Sequence, residues 1–300
     1  MKTSICSAKN LLVIGLAIVL GIAFQSCEKN DEPEIVTPPE NGYGNILPGV
    51  FTVSSGEDGI AGTDDDGKVR FSMGNLYAKF EDGKWTWNFY REQYGYNSLN
   101  SKCDKFGNRI AKDNDTEIDL FTWGYSASTS LNPVGESYVT AHTNAYDELF
   151  YVFDWSVEEN DDWGVPYCEA NYETSWHTLS ISEWQYLFSN HSYKWVTVHG
   201  VAGFVIAPDN FAGTLADSYA DDDALETDNL VFFPAAGWRE VDKVYSVGDL
   251  GHYWSSSAWL TADYASCVSF DIGGYGRDVF LEGSCRRSVG HSVRLVISCQ

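Results

Sequence analysis

The chain has 300 residues, 44% hydrophobic and 15% aromatic, with 43 acidic against 19 basic side chains and a formal net charge of −24. That balance excludes nucleic acid as a partner, because holding a phosphate backbone needs a basic face. The stretch from residue 46 onward, about 255 residues, is near the upper size for one domain. The aromatic content is more than one such core consumes, so some Trp and Tyr are expected at a binding surface.

Lys2 and Lys9 form a positive n-region, and residues 11–24 are an uncharged apolar stretch too short to span a bilayer. The stretch ends in Phe24-Gln25-Ser26-Cys27, which is similar to a lipobox, with Phe24 where Leu is usual and Ser26 as the small residue before the cut. An ordinary secretory cleavage would give no reason for a cysteine followed at once by a polar segment. Residues 1–26 are therefore expected to be a lipoprotein signal peptide and Cys27 the lipidated residue. Residues 27–47 carry Pro33, Pro38, Pro39 and the acids Glu28, Asp31, Glu32 and Glu34. They hold too little apolar surface to offset ordering entropy and read as a flexible acidic tether. Two or more acyl chains on one cysteine anchor stably, so the chain is expected to be attached to a membrane without spanning it. With Lys2 and Lys9 removed, 19 basic residues become 17 against 43 acids and the net charge moves from −24 to −26. Such an excess keeps an exposed protein soluble. Cys103, Cys168, Cys267, Cys285 and Cys299 remain, an odd number that leaves at least one thiol free. Their pairing is open, and none of the spacings is a zinc pattern such as Cys-x-x-Cys.

Residues 48–300 read as one domain. It starts as a hairpin series: Val69–Met73 leads to Leu76–Phe80, and Asp82-Gly83 turns into Lys84–Asn88. A helix with Tyr146, Leu149, Phe150 and Phe153 is expected from Asn144. A stronger one spans Ile181–Ser189, where Ser180 and Glu183 form a capping box, Leu179 and Trp184 take the staple positions, and Trp184, Leu187 and Phe188 share a core face. Strands follow at Val201–Ile206, Leu230–Phe233, Tyr253–Ser257, Cys267–Asp271, Asp278–Leu281 and Ser292–Ser298, with turns expected at Gly273-Gly274 and Gly283.

Several segments together resemble a known family. They are Val69 to Leu76 with Gly74-Asn75, the run Asp119–Gly124, the Trp-x-Thr-Leu-x-x-x-Glu-Trp of Trp176–Trp184, Val231–Arg239, Tyr253–Ser257 and Ser292–Ile297. The pattern is similar to the Fibrobacter succinogenes major paralogous domain, carried by many surface lipoproteins of the Bacteroidetes. The resemblance covers most of the domain. It implies an α+β fold of C-type lectin-like kind, with antiparallel sheets and hairpins, about two helices and long loops. The acidic residues after Cys27 resemble the export signal of such lipoproteins, which implies an outer-membrane protein facing the cell exterior.

Motifs for chemistry are weak. The calcium and sugar motifs of lectins, Glu-Pro-Asn or Gln-Pro-Asp followed by Trp-Asn-Asp, are absent, and Ala207-Pro208-Asp209-Asn210 reads as a turn. Asp64-Asp65-Asp66-Gly67 lacks the alternate spacing and distal glutamate of an EF-hand and reads as a solvated turn. Asp221–Asp223 reads as a helix start. Gly283–Arg287 faintly resembles the end of formylglycine-generating enzymes, whose copper needs two closely spaced cysteines in one segment. Here Cys285 stands apart from Cys267, which lies on a different strand, and an incidental thiol is the better reading. No Gly-x-Ser-x-Gly elbow accompanies Ser255–Ser257, and an approach of His252 to His291 has no support from spacing. No motif singles out a glycosidase carboxylate pair among the acids.

The expected function is recognition without catalysis, cofactor or metal. Fixed strands with irregular aromatic and charged loops are how binding surfaces are made. The expected ligand-binding residues are Trp259, Tyr264, Asp271, Tyr275, Arg277, Asp278, Arg286, Arg287 and His291, with rings stacking on a sugar and charges bonding its hydroxyls. The ligand would be an extracellular glycan or protein. The runner-up is a structural or tip subunit of a surface assembly, and a formylglycine-generating-like enzyme comes third.

Overall fold

The computed structural model describes residues 45–56, 66–81, 84–97, 109–110, 117–123, 162–171, 175–240, 243–260, 264–271, 278–287 and 289–299. They fall in one compact unit, Tyr43–Gln300. The signal peptide, the tether up to residue 44, the helix expected from Asn144, Tyr275 and Arg277 lie outside them.

The fold is mostly β, with few helices, so it is α+β. The strands are β1 (Phe51–Ser54), β2 (Gly67–Phe71), β3 (Leu76–Glu81), β4 (Lys84–Phe89), β5 (Arg109–Ile110), β6 (Glu117–Ile118), β7 (Trp176–Thr178), β8 (Tyr193–Val198), β9 (Val201–Ile206), β10 (Ser218–Tyr219) and β11 (Val231–Pro234). They continue with β12 (Trp238–Glu240), β13 (Lys243–Tyr245), β14 (Leu250–Ala258), β15 (Tyr264–Asp271), β16 (Asp278–Arg286) and β17 (Leu295–Cys299). The described helices are α1 (Gly164–Asn171), α2 (Ile181–Asn190) and the single turn α3 (Asp222–Glu226).

The expected Leu76–Phe80 and Lys84–Asn88 hairpin forms as β3 against β4, with Ala78 facing Trp87. Its supposed predecessor goes elsewhere. β2 joins a four-stranded sheet ordered β1-β2-β17-β7, and Phe71 faces Val296 of the C-terminal strand. The burial of Val69 and Phe71 on one face explains the choice, since both enter the main core with Phe51 and Val296. Both ends of the domain therefore close on one sheet. Asp66, expected in a solvated turn, is only 9% exposed, just before β2.

α2 is as its sequence predicts. Ser180 caps it, with the Glu183 amide donating to its hydroxyl oxygen and the Glu183 carboxylate accepting from the Ser180 amide at 2.7 Å. Trp184, Leu187 and Phe188 are buried. Trp184 meets Phe233 edge-to-face at 5.4 Å, and Phe71 meets Phe233 at the same distance. Asp221 caps α3 by accepting from the Ala224 amide, and Asp209 sits in a turn accepting from Thr52. A second core holds Trp87, Phe121, Trp163, Trp254, Cys267, Val293 and Leu295. It lies under the three-stranded antiparallel sheet β14-β15-β16.

Candidate functional site

The sheet β14-β15-β16 carries Tyr264, Asp271, Asp278 and Arg286, and with Trp259, Arg287 and His291 beside it the described residues expected to meet a ligand fall in three places. At one end, Tyr264 faces Arg286 across β15 and β16. The Arg286 Nε donates to the Tyr264 hydroxyl at 3.5 Å, and the Trp259 amide donates to the Tyr264 carbonyl at 3.3 Å. Trp259, Tyr264 and Arg286 are each half-buried, and the neighbouring Leu260 is 95% exposed. At the other end, Asp271 faces Asp278. β15 is an eight-residue strand, so its ends are about 24 Å apart at 3.4 Å per residue. One monosaccharide cannot touch both.

The third place is inside. Arg287 and His291, expected among surface loops, are 6% and 1% exposed. Arg287 lies over the Trp123 ring at 4.2 Å and its Nε donates to the Tyr264 carbonyl at 3.1 Å. His291 stacks on Trp254 at 4.1 Å, and its backbone exchanges two hydrogen bonds with Phe121. Their flanking glycine and serine suggest a loop, but the segment is pinned between β14 and residue 121. Gly283 is also no turn. It sits inside β16 opposite Cys267, where an added Cβ would come within 3.0 Å of the Cys267 carbonyl and 3.3 Å of its sulfur.

That inner position is one corner of a second constellation. His252 in β14 has Ser269 as its register partner, Trp254 has Cys267, Cys267 has Gly283, and Ala265 has Cys285. Side chains alternate along a strand, so His252, Cys267 and Cys285 project from one face. His291 reaches the same face because the Ser292 amide donates to the His252 carbonyl and the Trp254 amide to that of Ser292. The Cys267 and Cys285 sulfurs are 3.0 Å apart and the two imidazoles 4.8 Å between centroids. One donor atom from each of the four residues lies within 4.8 Å of the others. Both cysteines are free.

The electrostatics are those of a site that favours one thiolate. Cys285 is held well below the usual thiol range by the hydrogen bond from Cys267, against burial and with help from His252 and His291. The same shared proton and burial push Cys267 up. Burial lowers His291 to about 4, leaving a neutral imidazole at neutral pH. The Nδ1 atoms of His252 and His291 are buried with no hydrogen-bond partner. Chemically, the cluster is a two-nitrogen, two-sulfur donor set in a rigid frame. Local spacing could not show it, because residues 252, 267, 285 and 291 meet only through strand register.

Elsewhere, a cleft of about 500 Å³ is lined by Thr52, Asp66, Lys68, Tyr186, His191 and Asp209 among others, and by none of the expected ligand residues. Among the described residues no helix is long and apolar enough to cross a membrane. No family model, no curated protein and no solved structure matches this chain.

Proposed function

We propose that this is a lipid-anchored protein of the outer cell surface, with a C-type lectin-like domain of the major paralogous type, that binds an external glycan or protein without catalysis. The observation that carries the reading is the Trp259, Leu260, Tyr264 and Arg286 end of the β14-β15-β16 sheet. Strands buried on both faces end in an exposed leucine, a half-exposed Trp and a Tyr held by an Arg. Rigid aromatic rings with a guanidinium beside them recognise a sugar ring or a peptide loop at low entropic cost. Arg287 supports this surface from beneath through its bond to the Tyr264 carbonyl, while His291 lies further in, against Trp254. Asp271 and Asp278 belong to the far end and take no part in a small ligand's contact.

The test is a screen of the full chain, in detergent, on glycan arrays and immobilised extracellular-matrix proteins, with Trp259→Ala and Arg286→Ala alongside. Trp259→Ala should weaken any specific binding by roughly tenfold or more, as loss of a central aromatic anchor does. Binding that survives both substitutions contradicts the assignment. Absence of any binding would favour a subunit of a surface assembly.

A further inference from the structure

We propose that His252, Cys267, Cys285 and His291 form a zinc site that ties the C-terminal hairpins to the segment beneath them. The inference rests on the geometry of the four side chains and stands whether or not the outer loops bind a glycan.

Three observations carry it. The first is convergence: four donors from three strands and one adjoining segment come within 4.8 Å of one another, with Cys267 and His291 buried and His252 and Cys285 half-buried. Ligands in a tetrahedral zinc complex, at about 2.3 Å for sulfur and 2.0–2.1 Å for nitrogen, lie roughly 3.3–3.8 Å apart. The sulfurs, 3.0 Å apart, need to separate by about 0.8 Å to meet that spacing. The second is what the protein leaves undone. His291 is 1% exposed, yet His291 and His252 each keep a buried ring nitrogen without a partner. Buried polar groups are normally satisfied, and each exception calls for a cause. The third is the frame. His291 is fixed by its backbone pairing to Phe121 and its stack on Trp254, whose indole nitrogen donates to the Phe121 carbonyl at 2.7 Å. Gly283 leaves the space beside the Cys267 sulfur clear.

The donor set selects the ion. Two imidazoles and two sulfurs in tetrahedral reach suit zinc, while calcium and magnesium need oxygen ligands. Binding would release the remaining thiol protons to solvent, and two thiolates cancel the charge of one zinc ion, which suits a buried position. With all four positions taken by protein, the ion has no open site for water, so its role is structural. The competing fate of the same sulfurs is a disulfide, which needs an external oxidant, forms an S–S bond near 2.05 Å and leaves both imidazoles unused.

The experiment is metal analysis of the full chain purified in detergent without chelators, with Cys267→Ser, Cys285→Ser and His252→Asn alongside. One zinc per chain is expected, with metal content falling by more than about tenfold in each variant. If the chain emerges without metal, the reduced wild-type protein is titrated with cobalt(II). Saturation at one equivalent, with thiolate charge-transfer and tetrahedral ligand-field bands, sustains the site without relying on any variant's fold. Failure to bind cobalt or zinc overturns it. So does a Cys267–Cys285 disulfide found by mass spectrometry in the chain isolated from cells. Copper(I) held in preference to zinc and unaffected by His252→Asn would overturn the four-ligand assignment.

Discussion

Two of the polar clusters among the described residues are treated differently by the protein. Around Arg294, which is 1% exposed, the guanidinium donates to Asn75, Gln93 and the Met73 carbonyl at 3.0–3.3 Å. Asn75 in turn donates to the Tyr253 hydroxyl, and that hydroxyl to the Pro234 carbonyl. Gln93 donates to Leu230 and accepts from Phe232. Only the Arg294 Nε and one Asp222 oxygen lack a partner there. Around Cys285, the sulfurs have each other and both imidazoles assist the Cys285 thiolate, but the Nδ1 atoms of His252 and His291 lack a partner. Each cluster keeps two unpartnered atoms, so the difference lies in the donors: the Arg294 guanidinium is held by three oxygens, whereas around Cys285 four atoms able to ligate a metal converge on one another.

The contrast predicts different responses. Replacing Arg294 with Leu strands Asn75 and Gln93, and should cost about 3–5 kcal/mol in urea unfolding, the same with or without a chelator. Cys285→Ser should show the reverse pattern. In zinc about a hundredfold above Kd the wild type gains about 2.7 kcal/mol, and the variant should lack that gain while matching the wild type to within about 1 kcal/mol in chelator. If the two substitutions respond alike to chelator, the distinction between the clusters fails.

The Arg294 network also carries a pH signature. Burial raises Asp222 to about 6, against the hydrogen bond it accepts from the Gln93 amide. Its folded form holds a proton that the unfolded chain has lost between about pH 4 and 6. Stability from this group therefore declines as pH rises through that window. Asp222→Asn should remove that decline, measured as the slope of unfolding free energy against pH, and an unchanged slope would contradict it. The smallest effect belongs to Gly283→Ala. Its added methyl crowds the Cys267 carbonyl and sulfur, and should lower zinc affinity severalfold while changing chelated stability by about 1 kcal/mol or less.

How much could be read from the chain follows from the range of each interaction. The capping box of α2 and its Trp184, Leu187 and Phe188 face are set within ten residues and were legible. So was the β3–β4 hairpin, with its Asp-Gly turn signal. The pairing of β2 with β17 was not, since no local pattern joins residues 71 and 296. α1, which buries Tyr167, and β8 were missed too. α1 lacks a regular apolar stripe, and β8 directly follows the end of a helix. The Cys267–Cys285 contact was concealed by the same cause. On sequence Cys267 opens one strand and Cys285 lies past the next, beyond the turn expected at Gly283, and only the register of β15 with β16 makes them neighbours. The signal in the sequence is a pair of cysteines flanked by His252 and His291, spread over 40 residues and so contained in no adjacent-residue motif.

The most direct test of the central claim is zinc K-edge absorption spectroscopy on the full chain loaded with one equivalent of the ion. A shell of two sulfurs near 2.3 Å and two imidazole nitrogens at about 2.0–2.1 Å is predicted, and it should lose a nitrogen in His291→Gln. A first shell made of oxygens, or one unchanged by removal of Cys285 or His291, would contradict it.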